Sequence, residues 1–141
     1  MAALVSSARP ARAALGSPTP SYVPGRCNIG REEIAARRRW GHLGSIATVV
    51  ALALLLILGA PREARVVLFF PAAAAAVGYL QAWLRFCAAF GLLGVFNFGR
   101  LGDHERVVDA EALWRDRRRA LGIAVVSAGI GAATALLAYI A

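Results

Sequence analysis

Four side chains in this sequence have the types from which metal or thiol chemistry is built: Cys27 and Cys87, the only cysteines, and His42 and His104, the only histidines. Two thiols and two imidazoles form a conceivable tetrahedral zinc set. The spacing speaks against it, because a strong zinc signal pairs its ligands as Cys-x-x-Cys or His-x-x-x-His and neither pair occurs here. A reversible Cys27–Cys87 disulfide is a second option, that of a thiol-redox site. The plainest expectation is two small side chains packed beneath interfacial loops, with no cofactor. Ser45 and Ser127 lie in apolar stretches, 43–60 and 120–140, that contain no histidine, so a catalytic triad has no support. Gly91, Gly94 and Gly99 are not followed by Gly-Lys-Ser/Thr, so they make no phosphate loop.

The elements that must position these groups are apolar. Hydrophobic residues make up 59% of the 141 residues, and the mean hydropathy of +0.60 exceeds that of an ordinary soluble domain. Residues 43–60 contain no charge, and at ~1.5 Å per residue they reach across the hydrocarbon core of a bilayer. Two further stretches, 66–84 and 120–140, repeat the pattern. The fold class expected is therefore all-α: an integral membrane protein with three transmembrane helices and interfacial helices on the cytoplasmic side. Five residues, 61–65, join the first two spans, which makes them antiparallel neighbours. Pro71 should kink the second span or mark where its first turn gives way. Ala74 and Gly78 form a small-residue step on the second span; Ala124, Ala128 and Ala132, with Gly129 and Ala133 beside them, do so on the third. Such faces let helices approach closely, either within the bundle or against a partner. No span carries an acidic residue, so no proton relay is indicated.

Orientation follows from the arginines, which supply all sixteen cationic side chains in a chain of net charge +8. Seven precede the first span, seven lie between the second and third, and two (Arg62 and Arg65) occupy the first loop. The positive-inside rule then places the N-terminus and the 85–119 connection in the cytoplasm of a prokaryotic cell and the C-terminus outside. Trp40, Trp83 and Trp114 fall at the same ends of the three spans. With Arg37, Arg38 and Arg39 and with Arg117, Arg118 and Arg119 they form an expected contact layer for anionic lipid headgroups, not for nucleic acid. Residues 1–21, interrupted by Pro10, Pro18 and Pro20, are expected to be a tail, and Arg9, Pro10 and Arg12 break any signal-peptide core. Residues 22–141 form one membrane domain. Asn28 is expected to cap the helix that follows it, Glu33–Arg37 and Glu111–Arg115 are i,i+4 pairs, and the remaining acids neutralise neighbouring arginines. Gln81 is expected at headgroups or water.

The strings YVPGRCNIGREEIAARRR, YLQAWLRFCAAFGLLGVFNFG and DRRRA before the last span resemble a group of small prokaryotic three-span membrane proteins of unassigned function, in which Cys-Asn-Ile-Gly precedes the first span. The resemblance covers roughly residues 22–140 and implies a shared fold, with no activity, cofactor or partner attached. The role expected is that of a non-catalytic accessory or interaction subunit, in contact with lipids and with other membrane proteins or copies of itself. The alternative is a thiol or metal site at the cytoplasmic face built on Cys27 and Cys87, with His42 and His104.

Overall fold

The computed structural model describes residues 21–141; apart from Ser21, the expected tail lies outside the described residues. Three helices are long and apolar enough to cross a membrane, and apart from the short loop at 58–61 the rest of the described chain is gathered at the arginine-rich end of the bundle.

Helix α1 (Arg31–Ile57) runs without a break from the charged segment into the first apolar stretch. Its uninterrupted run of Leu, Ala, Val and Ile gives no reason to stop before Gly59, which takes the left-handed backbone (φ +62) that ends a helix. The Gly59 amide donates to the Leu56 carbonyl and the Ala60 amide to that of Leu55, a Schellman stop that Pro61 makes final. A 3₁₀ segment (Arg62–Leu68) then leads into α2 (Phe69–Leu84). The second span is thus tightly wound over its first residues and α-helical only from Phe69. Pro71 lies in the first turn of α2, just past the change of winding, where proline's fixed φ is tolerated. At the far end Arg65 Nη1 donates to the Ala138 carbonyl (3.0 Å), tying the short loop to the last turn of α4 (Ala110–Ile140).

Helix α2 is the hub: it packs against both α1 and α4, which make little contact with each other. Small residues set the approach. An added Cβ at Gly78 would lie 2.7 Å from the Gly41 Cα and 2.8 Å from the Arg37 carbonyl oxygen, so the two backbones are in direct contact there. Gly44 meets Ala75 in the same interface, and Gly131 of α4 meets Ala73 and the Phe69 carbonyl. In an apolar solvent this close fit, more than exclusion of water, supplies the attraction between helices. Ala74 points away from the contact and is exposed.

On α4 the row facing the bundle is Ala112, Asp116, Ala120, Ile123, Ser127, Gly131 and Ala135. Ala124, Ala128, Gly129, Ala132 and Ala133 are all exposed. The small-residue face seen in the sequence is therefore the outer face of the described chain. Gln81 is buried, its Oε1 without a hydrogen-bond partner among the described residues, in contrast to the expected contact with headgroups or water.

The connection between α2 and α4 folds back over the end of the bundle. It comprises a short helix α3 (Ala88–Leu93) and a two-stranded antiparallel ladder in which β1 (Val95–Phe96) pairs with β2 (Glu105–Arg106), Val95 opposite Arg106. Asp109 caps α4 by accepting from the Ala112 amide at 2.9 Å.

Candidate functional site

The cap at the arginine-rich end is where polar side chains are buried together. Helix α2 ends at Arg85, a non-glycine residue in the left-handed region (φ 53), and this turn delivers the Arg85 carbonyl to the Asn28 amide at 3.2 Å. Asn28 is wholly buried and does not cap α1; the residue at the helix N-cap is Gly30. Its amide side chain instead spans 59 residues of sequence, Nδ2 donating to the Cys87 carbonyl (3.0 Å) and Oδ1 accepting from the Cys87 amide (2.7 Å). A reciprocal pair of this kind satisfies every polar atom it buries, the condition under which burial of an amide stabilises a fold.

The same segment is sewn to Asn97. The Asn97 amide donates to the Asn28 carbonyl (2.9 Å), and the Gly30 amide donates to the Asn97 carbonyl (2.7 Å), a single parallel bridge. Gly30 has no room for a side chain, since a Cβ would stand 3.0 Å from the Phe98 Cα. The Asn97 side chain turns inward, Nδ2 donating to Glu33 Oε1 (3.2 Å) and to the Arg100 carbonyl (2.8 Å). Glu33 receives Arg37 on its other oxygen at 3.1 Å, and the same Arg37 nitrogen lies 3.2 Å from the Cys87 sulfur. The Arg37 guanidinium also faces the Phe90 ring, 5.7 Å from its centre. Arg37 thus departs from its expected place among lipid headgroups, because a buried carboxylate one turn earlier holds it inward. Arg38, Arg39, Arg117, Arg118 and Arg119 remain exposed, as do Trp40, Trp83 and Trp114.

Asp116 is the second buried acid. It is fully enclosed and has no arginine partner among the described residues; it accepts from the Tyr22 hydroxyl (2.8 Å) and from the Gly25 amide (2.6 Å). Glu32 likewise accepts from a backbone amide, that of Leu101. The expected Glu33–Arg37 and Glu111–Arg115 pairs are present. Burial, followed by the bond to the Asp116 carboxylate and that carboxylate's charge, pushes the Tyr22 phenol well above its ordinary value of 10.0. A group whose folded value is raised lends stability that is complete below its unfolded value and disappears as pH climbs through the folded one. Tyr22→Phe is therefore expected to cost about 1 kcal/mol at neutral pH. The deficit against the parent should shrink above pH ~10. Unfolding measured across alkaline pH checks this; a deficit that grows with pH would contradict the bond.

The two thiols serve different neighbours. Cys27 reaches the Ile29 carbonyl at 3.9 Å, and burial raises its thiol above the ordinary range, so it holds less thiolate than a free cysteine. Cys87 is buried with Ile29 and Phe90, and both thiols are free. His42 and His104 are not drawn to them. His42 Nδ1 meets the Tyr79 hydroxyl at 2.7 Å, with Ser45 Oγ 3.4 Å from the same oxygen, and His104 packs edge-on against Phe90. The His42–Tyr79–Ser45 group was missed: the i,i+3 spacing of His42 and Ser45 places them on one face of α1, but Tyr79 comes from α2. Among the described residues no three His, Cys, Asp or Glu side chains converge as metal ligands do, and the set Cys27, Cys87, His42 and His104 is not assembled.

Three short strings meet here: Cys-Asn-Ile-Gly supplies Asn28, Ile29 and Gly30, Phe-Cys supplies Phe86 and Cys87, and Asn-Phe-Gly supplies Asn97. Phe86 is buried against Ala120 and Ile123 and roofs the α2–α4 contact. Chemically the cap holds itself in one shape; its carboxylates and amides are consumed by one another. No family model, curated protein or solved structure matches the chain.

Proposed function

We propose that this chain is a multi-pass protein of a prokaryotic cell membrane, arginine-rich end in the cytoplasm, that acts as a non-catalytic accessory subunit by packing α4 against a transmembrane helix of another membrane protein. The observation that carries the reading is the division of labour on α4. Ala120, Ile123, Ser127, Gly131 and Ala135 serve the bundle, while Ala124, Ala128 and Ala132, with Gly129 and Ala133, form a second small-residue row that faces outward. A row of that kind offers lipid less contact than large side chains do, but lets a helix backbone come close. The 14 to 2 division of arginines supports the orientation. The three-span proteins that the chain resembles are the group to which we assign it.

The test is a photoreactive residue placed singly at positions 124, 128 and 132, and at Val50 and Leu54 of α1 as exposed references on another helix, in membranes of the native host. A discrete protein adduct is expected from the first three positions and not from the references, and Ala128→Leu should abolish the adduct at 124 and 132 while the chain remains inserted. An adduct of twice the chain mass would replace the partner by a second copy. Lipid adducts alone at all five positions would overturn the proposal.

A further inference from the structure

A cavity of about 550 Å³ opens at the arginine-rich end between α2, α4 and the turn at residues 24–25. It is separate from the outward row of α4 and from the polar interior of the cap. Leu80 and Leu84 of α2 and Ile123 and Val126 of α4 make its apolar part, and Trp114, Arg115, Arg118 and Arg119 make its rim. The rim and the apolar part are stacked along one helix: from Arg119 to Val126 α4 rises ~10 Å, so in the membrane orientation proposed above, on which this inference rests, the groove runs from the headgroup level into the hydrocarbon. Its remaining wall, Pro24 and Gly25, is fixed by the Gly25 amide bonded to the buried Asp116. Gly122 lines the middle, and a Cβ there would meet nothing within 4 Å. The groove is open above this position, so a larger side chain there would project into it.

The rim is charged out of balance. Arg115 is paired with Glu111, and the Arg118 guanidinium lies over the Trp114 ring, 5.5 Å from its centre. Among the described residues neither Arg118 nor Arg119 has a carboxylate partner. Two unneutralised guanidiniums above an apolar trough, beside an indole at the interface, complement an anion that carries a hydrocarbon chain.

We propose that this groove binds one anionic glycerophospholipid, its phosphate on Arg118 and Arg119 and the upper part of one acyl chain lying over Gly122 between Leu80, Leu84, Ile123 and Val126. A free phosphate fills only the rim. A zwitterionic lipid of the same chain length fills the trough but brings its own cation toward the arginines.

Native mass spectrometry of the full chain in detergent, titrated with phosphatidylglycerol, with phosphatidylcholine of the same acyl chains, or with phosphatidylglycerol plus inorganic phosphate, tests this. One phosphatidylglycerol is expected to be retained at concentrations where phosphatidylcholine is not. Each arginine near an anionic headgroup is worth about fivefold in affinity, so Arg118→Gln with Arg119→Gln should weaken retention roughly 25-fold. Arg38→Gln with Arg39→Gln, which removes equal charge elsewhere, should leave it within about twofold. Gly122→Leu should abolish the bound lipid at an unchanged melting temperature, and Gly122→Ala should weaken it without abolishing it. Equal retention of both lipids, equal loss from the two arginine pairs, or full binding by Gly122→Leu would overturn the proposal. Displacement of the lipid by inorganic phosphate would also overturn it, leaving a bare anion site. A groove closed by a partner helix would show itself as no retained lipid in any arm, again against the proposal.

Discussion

Replacing Gly78 by leucine is expected to separate α1 from α2. The new Cβ would press on the Gly41 Cα and the Arg37 carbonyl, both backbone atoms, so no rotamer change relieves it and the helices themselves must part. Overpacking where side chains can yield costs roughly 1–3 kcal/mol, and a backbone collision belongs at or beyond the upper end of that range. The displaced contact also carries Gly44 against Ala75, so the loss spreads along the interface. Equilibrium unfolding in mixed detergent should show a fall of at least about 3 kcal/mol for Gly78→Leu. Gly129→Leu should not destabilise the isolated chain, because nothing lies within 4 Å of a Cβ there and leucine favours the helix by up to about 1 kcal/mol over glycine. Similar losses for the two variants would show that α2 is not packed on α1 through Gly78.

Asn28→Ala should be the most damaging substitution in the cap. It removes the donor for the Cys87 carbonyl and the acceptor for the Cys87 amide, and Asn28 lies where no solvent can replace either. Two buried groups left without partners cost about 1–3 kcal/mol each, so a loss of about 2–6 kcal/mol is expected. The effect should be local as well as large. Amide hydrogen exchange at Cys87, Asn97 and Gly30 should accelerate, while the apolar stretches of α1 and α4 keep their protection. A change below about 0.5 kcal/mol, with protection at Cys87 intact, would refute the role assigned to this side chain.

What could be read from the sequence was whatever a short stretch decides by itself. Apolar length marked the three long helices, Gly59-Ala60-Pro61 marked the end of α1, and the i,i+4 rule found Glu33–Arg37 and Glu111–Arg115. Choices between equivalent local patterns were hidden. Helix α4 has small residues on more than one row, and only the presence of α2 selects Ser127 and Gly131 over Ala128 and Ala132. Asn28 looked like a helix cap because its real partner is 59 residues away. Asp116 was assigned to its arginine neighbours for the same reason. One clue was available there: Asp116 falls on the helical row of Ala112, Ala120 and Ile123, an inward-facing row, where an acid must find donors from elsewhere in the chain. Arg37 could be found the same way, since Glu33, its partner, shares a face with buried Gly41.

The bond from Tyr22 to Asp116 joins positions 94 apart in sequence, and it carries a consequence for how the protein is made. At a ribosomal rate of about 5–20 residues per second, Asp116 is polymerised some 5–19 s after Tyr22. Throughout that interval the segment before α1 has no acceptor for its hydroxyl or for the Gly25 amide, and Ile29 has neither Cys87 nor Phe90 to cover it until the second helix is complete. Completion of the first two long helices therefore precedes closure of the cap, and maturation ends with a step that depends on the last third of the chain.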